Sequence, residues 1–381
     1  MNFYLFASVV LIAFINSFFS GKSRIILILI NVMLVIMFGY TSIANTPQDS
    51  GIYQSYYMHA EWDSEAPFEQ GYILLMKISR ILGLNYLEFR LAIAVFGYLL
   101  LFIAIKRFKL VNTSLFYVYY IMMPFVEDPI QLRNFLMITI VLVSCSFLYK
   151  GADDKYSIVK YVVGIMLASS IQTLGLFFLL LIPFYLPKKI NYRKTYVWFS
   201  VISTVVMLFP ITRNFISVFL GQQFMKLGTI GMKISQFLMR AQPGKIMVWD
   251  GLVTVLLFII VLQIKKQLKN TQNKNTRNIL LLGEATVYML IIVFPMYFFS
   301  YNFDRLIKDG LFILFVVFAF CIPLLAKINV KAWISVGLTA FTVVLFYSFN
   351  YYNYGDVSRW ETLVYPVLFD NQFMSPYSEY R

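Results

Sequence analysis

Arginines recur at the ends of long apolar runs in this 381-residue chain: Arg133, Arg213 and Arg305. A guanidinium stays charged at any physiological pH and offers a planar fork for two parallel hydrogen bonds to a carboxylate or phosphate. Two or three of them at one depth can clamp a pyrophosphate. Two carboxylates, Asp49 and Glu69, stand near tyrosines and can take a proton from a hydroxyl group. Around them Tyr53, Tyr57 and Tyr72 offer rings that stack on sugar faces, and the acids can accept from sugar hydroxyls. Each residue also has a plainer reading. Arg133 can snorkel to an interface, Asp304 can neutralise Arg305, Asp49 can be only a helix N-cap, and tyrosines form belts at membrane surfaces.

The elements that must position these residues are apolar helices. The chain is 60% hydrophobic and 13% charged, with a mean hydropathy of +0.73. Soluble domains carry about 25% charged residues, and apolar runs near 20 residues long recur here to the end of the sequence, so the fold class is an all-α, polytopic membrane protein. Twelve spans are predicted, at 3–19, 25–43, 86–105, 113–126, 130–149, 157–171, 173–187, 195–211, 247–264, 279–297, 305–326 and 333–349. They form a single integral membrane domain over 1–381. No basic region precedes the first run, so 3–19 reads as a span and not as a cleaved signal. The segment 68–83 is interrupted by Glu69, Lys77 and Arg80 and reads as an interfacial or re-entrant helix.

Alternate loops hold more than half of the 32 basic residues and few of the 18 acids. The positive-inside rule therefore puts those loops in the cytoplasm and both termini outside. The net charge of +14 is then mostly topology, which removes a nucleic-acid partner. The outer side holds the richer segments: a first loop over 44–83, a large loop over 212–246 and a tail over 350–381. In the large loop, Lys226, Lys233 and Arg240 are spaced by seven among apolar residues. That pattern is an amphipathic helix on the membrane, either an anchor to anionic headgroups or a basic wall facing a polyanionic substrate.

Finer patterns sharpen the candidates. In Glu127 to Asn134, Glu-Asp-Pro-Ile-Gln-Leu-Arg-Asn, Pro129 can open a helix. Glu127 and Asp128 then complement the helix dipole, and Arg133 falls about one turn inside. Asp49, Tyr53 and Tyr57, at i, i+4 and i+8, share one face if their segment is helical. One histidine, His59, and two cysteines inside apolar runs exclude a multi-histidine metal centre and give no disulfide framework or zinc site. No Gly-rich phosphate loop, His-Glu-x-x-His or Gly-x-Ser-x-Gly pattern occurs. Nothing requires a metal, a nucleotide sugar or another cofactor.

These residues resemble the EpsG family, relatives of Wzy-type polysaccharide polymerases. The likeness is carried by Asp49…Tyr53…Tyr57 followed by Glu69-x-Gly71-Tyr72. Leu132-Arg133-Asn134 resembles the family's Ile-Arg-Gln at the head of a span, Asn302 with Asp304-Arg305 its late Arg-bearing turn, and Pro376-Tyr377 a Pro-Tyr near its end. Asn134 departs from the usual Gln, and Gln172 stands where the family often has His.

The resemblance implies a GT-C-like or Wzy-like architecture and a polymerase of O-antigen, capsule or exopolysaccharide. Its substrate would be undecaprenyl-pyrophosphate-linked oligosaccharide on the outer face of the bacterial inner membrane. Its other partners would be the lipid bilayer and a chain-length regulator. Arg133 and Arg305 would meet the leaving pyrophosphate, and Asp49 or Glu69 would take the acceptor's proton. Tyr53, Tyr57, Tyr72, Glu127, Asn134, Gln172, Arg213, Arg240 and Asn302 would bind substrate. Two other readings are a glycosyltransferase using a polyprenyl-phosphate sugar and a non-enzymatic flippase. Asp49 lacks the acidic neighbour expected of the first. Against the second, which should bury charges through the membrane depth, Glu284 reads as the only charged residue well away from the outer edge.

Overall fold

Apolar runs in lipid must satisfy every backbone donor and acceptor within themselves, which helices do. The computed structural model describes residues 2–18, 23–39, 48–59, 68–150, 156–186, 191–225, 235, 246–269, 273–298, 303–325, 337, 341 and 365–369. Among these the chain is helical, with no strand. Four helices are long and apolar enough to cross a membrane: Tyr86–Phe108, Leu132–Tyr149, Lys274–Phe298 and Arg305–Leu324. A fifth is added if the bent pair Tyr192–Leu208 and Pro210–Gln223 is one span. The segment 333–349 lies outside the described residues except for positions 337 and 341.

The chain forms two compact units. The first comprises Met1–Ser146, Met166–Gln172 and Phe318–Arg381. It contains α1 (Asn2–Phe18), α2 (Arg24–Gly39), α3 (Gln48–His59), α4 (Gln70–Ile81), α5 (Tyr86–Phe108), α6 (Thr113–Met122), most of α7 (Leu132–Lys150) and the end of α8 (Ser157–Ile171). Helix α1 packs on α2 and α6, while α5 packs on α2 and α3. A capping box starts α5: Asn85 accepts from the Glu88 N–H at 3.0 Å, and the Glu88 carboxylate accepts from the Asn85 N–H at 2.7 Å. Its last turn carries Lys106 and Arg107, which suit the negative end of the helix. Small residues let helices approach: a Cβ on Gly97 would lie 2.2 Å from Phe135 Cε1, so α5 and α7 meet at that glycine. Val95, Phe96 and Leu99 are exposed on α5, as lipid-facing side chains are.

The second unit comprises Phe147–Ile165 and Thr173–Val317. After α8 comes a 3-10 helix over Thr173–Tyr185, then α9 (Tyr192–Leu208), α10 (Pro210–Met225), α11 (Ile246–Gln267), α12 (Lys274–Val293) and most of α13 (Asp304–Cys321). Helix α12 packs on α9, α11 and the 3-10 stretch. Its Glu284, buried, accepts two bonds from Arg193, at 2.7 and 2.8 Å, and one from Lys265 at 2.7 Å. That triad ties three helices together.

Several expectations are corrected here. The predicted span 173–187 is wound as a 3-10 helix and not as an α-helix. The segment 212–246 does not begin as a loop. Pro210 starts α10 after a 107° bend at Phe209, a proline suiting a first helical position. Arg213 therefore lies in the first turn of α10 instead of ending a span. Lys226, Lys233 and Arg240 lie outside the described residues. Besides Glu284, Arg90 in α5 and Lys308 and Asp309 in α13 are buried charges too, each within two turns of the start of its helix.

Candidate functional site

Pro129 does not open α7. Pro124 starts a short 3-10 turn, Pro124–Val126, and a further turn follows in which the Ile130 and Gln131 N–H groups donate to the Glu127 carbonyl. Helix α7 begins only at Leu132, which makes Arg133 its second residue. Glu127 and Asp128 are thus too early to cap it. Both are buried. Gln131 Nε2 donates to Glu127 at 3.2 Å, and the Tyr120 hydroxyl donates to Asp128 at 2.7 Å and lies 2.8 Å from the Tyr98 hydroxyl.

What holds that turn is a residue the sequence reading passed over. Arg90, 1% exposed in α5, donates from Nη2 to the carbonyls of Phe38, at 3.3 Å, and Pro129, at 3.2 Å. Phe38 lies in the last turn of α2, whose carbonyls have no partner within the helix. One guanidinium therefore joins α2 and α5 to the approach to α7. Its signal was available: a charge five positions into an apolar run is a functional-site hypothesis by default.

Arg133 is met from two other helices. Glu69 occupies the N-cap of α4, with extended backbone, and its carbonyl accepts from the Tyr72 and Ile73 N–H groups. Its side chain makes no capping bond. It forms a salt bridge with Arg133 Nη1 instead. From α3, the Tyr53 hydroxyl accepts from Arg133 Nε at 3.3 Å. The guanidinium carbon lies 4.8 Å from the ring centre of Phe68, 5.3 Å from Tyr53 and 5.9 Å from Tyr72. The three rings are also within 6 Å of one another. A cation over aromatic faces, largely withdrawn from water, is held more firmly than one in solution. Arg133 and Glu69 side chains are 15% and 10% exposed. Of the five N–H donors of a guanidinium, two go to Glu69 and Tyr53 among the described residues.

The rest of the aromatic wall is packed behind. Tyr57 stacks on Phe89, 5.0 Å between centres and 21° between planes, and donates to the Leu84 carbonyl at 2.7 Å. Tyr72 is fully buried, and its hydroxyl has no hydrogen-bond partner among the described residues. Burial pushes its phenol well up, so it remains a hydroxyl at any physiological pH. An unsatisfied hydroxyl beside a caged cation is what a polar ligand would complete.

Helix α4 is seated on α8. A Cβ at Gly71 would lie 2.4 Å from Ser170 Oγ and 2.7 Å from its carbonyl oxygen. Backbone cannot yield as a side-chain tip can, so Gly71→Ala is expected to push α4 and Glu69 away from Arg133. The measurement is the thermal midpoint, which should fall, and an unchanged midpoint would show that α4 can shift without cost. Gln172, buried, directly follows α8 near this contact.

Of the predicted site residues, the structure brings together Glu69, Arg133, Tyr53 and Tyr72, with Tyr57 behind them. Phe68 joins them although the sequence reading gave it no role. Glu127 and Asn134 are buried on either side of the start of α7. Asp49 is the second residue of α3, on the helical repeat that carries Tyr53 and Tyr57; its side chain is outside the described set. Arg213 and Arg305 belong to the second unit, each half-buried in the first turn of its helix. Asn302 and Arg240 lie outside the described residues, as does Pro376-Tyr377.

No curated protein and no solved structure matches the chain. A family model, that of the EpsG family, matches residues 25–377, nearly the whole sequence, and the chain accordingly belongs to the EpsG family.

Proposed function

We propose that this membrane protein polymerises undecaprenyl-pyrophosphate-linked oligosaccharide repeat units into a surface polysaccharide on the outer face of the bacterial inner membrane. Membership of the EpsG family supports a polysaccharide polymerase-like role. The observation that carries the finer reading is the caged Arg133, a fixed cation beside carboxylate and phenol groups. In such a transfer an acceptor hydroxyl attacks the anomeric carbon, and the C1–O bond to the pyrophosphate breaks. Negative charge grows on the leaving oxygen, and a preorganised guanidinium in a site of low dielectric stabilises it. Arg305, in the second unit, is proposed as a further phosphate-binding residue, with Arg213 and Arg240 as auxiliaries. Tyr53, Tyr57, Asn134, Gln172 and Asn302 are proposed to line the path of the sugars.

Deletion of the chain in its host should convert long glycan into single repeat units on a length-resolving gel, with lipid-linked units accumulating. Full-length glycan in the deletion strain would overturn the reading. Purified protein given lipid-linked units should extend them, which a transporter would not do. The orientation is checked separately: a reporter inserted between Lys269 and Lys274 should report the cytoplasm, and an external signal would invert the map.

A further inference from the structure

Glu69 presents a conflict. A carboxylate paired with a guanidinium is a poor proton acceptor, because the pair favours its charged form. Yet it is the acid found beside Arg133 in the described structure. Its geometry suggests why. The side chain of a residue at an N-cap ordinarily has local N–H groups to serve, and Glu69 leaves them for Arg133. One carboxylate oxygen accepts this bond, and the acid sits at the end of α4 rather than in its interior. Turning that side chain away from Arg133 would separate the pair. Tyr53, bonded to Arg133 Nε, and the three surrounding rings would keep the guanidinium in place meanwhile.

We infer that Glu69 is a place-holder for the donor's diphosphate: the incoming diphosphate takes Glu69's position on Arg133, and the released carboxylate becomes the base for the acceptor hydroxyl. The inference rests on the polymerase reading and assigns the general base to Glu69 over Asp49. The balance is simple. The acceptor oxygen bonds to the anomeric carbon, its proton passes to Glu69, and the electron pair of the broken C1–O bond leaves with the diphosphate on Arg133. Before the donor binds, Glu69 is held in its ion pair with Arg133. The acceptor is therefore activated only when a donor is present, and binding is ordered, donor first.

The test uses the full chain in lipid nanodiscs with undecaprenyl pyrophosphate as probe, together with polymerisation of lipid-linked units. Glu69→Gln removes the competitor while keeping the shape of the side chain. It should bind undecaprenyl pyrophosphate tighter, by about tenfold if the pair is worth about 1.4 kcal/mol, and should fail to polymerise. Arg133→Lys should bind the probe more weakly than wild type. Glu69→Asp, which retains the acid, should recover part of the turnover. If Glu69→Gln weakens or leaves unchanged the binding that Arg133→Lys reduces, the pair is only a strut between α4 and α7 and the inference falls. A tighter Glu69→Gln variant that still polymerises would move the base elsewhere. If neither variant changes binding or glycan length, the polymerase reading of this site falls with it.

Discussion

Replacing Arg133 by alanine is expected to leave the protein inserted at normal level and to reduce its product to single repeat units. The expected effect is large because the guanidinium is fixed before the reaction: one salt bridge, one hydroxyl and three rings hold it. Deleting one preorganised donor from such a site costs about 10²–10³ in rate. The alanine variant also leaves Glu69, 10% exposed, without this partner, and stranding one member of a withdrawn pair is destabilising in itself. Arg133→Lys separates the two effects. It keeps a charge for Glu69 but loses the fork proposed to grip the diphosphate. It should retain the wild-type thermal transition and lose most chain extension. Wild-type glycan length in both variants, read on a gel at matched expression, would remove Arg133 from the mechanism.

Arg90→Met is expected to be as damaging by a different route. Methionine fills similar space and carries no donor, so the carbonyls of Phe38 and Pro129 lose the bonds they receive. Hydrogen bonds from a charged donor contribute about 1.5–3 kcal/mol each, and buried carbonyls left unmet add their own cost. The turn that delivers Arg133 to its cage should then loosen. A lowered thermal midpoint together with shortened glycan is the expected result. Arg90→Lys should restore stability in part, since an ammonium can reach one carbonyl but not keep the planar geometry that serves both. An Arg90→Met protein with normal stability and normal chain length would show that the turn is set by its prolines alone.

Residue types and periodicity made most helices legible. The predicted spans 3–19, 25–43, 86–105 and 157–171 coincide with α1, α2, α5 and α8 within a few residues. The i, i+4 spacing placed Tyr53 and Tyr57 on one face, and both are buried. Glu69, Tyr72 and Arg133 were recognisable as candidates from charge and aromatic character. Their mutual pairing was not, because it joins residues 64 positions apart across three elements. Local rules also misplaced the start of α7. Pro129 fits a first helical position, but a tertiary bond from Arg90 to its carbonyl holds it in a turn. The bend at Phe209 was hidden for a similar reason. The apolar run continues through Pro210, and hydropathy carries no information about direction.

The winding of Thr173–Tyr185 bears on how the chain is counted across the bilayer. Thirteen residues in an α-helix reach about 20 Å, well short of a hydrocarbon layer about 30 Å thick. At about 2.0 Å per residue the same residues in a 3-10 helix reach about 26 Å. Tighter coiling thus stretches a short segment toward full depth. Pro183, which lacks an N–H, lies inside it near its end. A tally made from residue number alone would overlook such a thin, elongated rod.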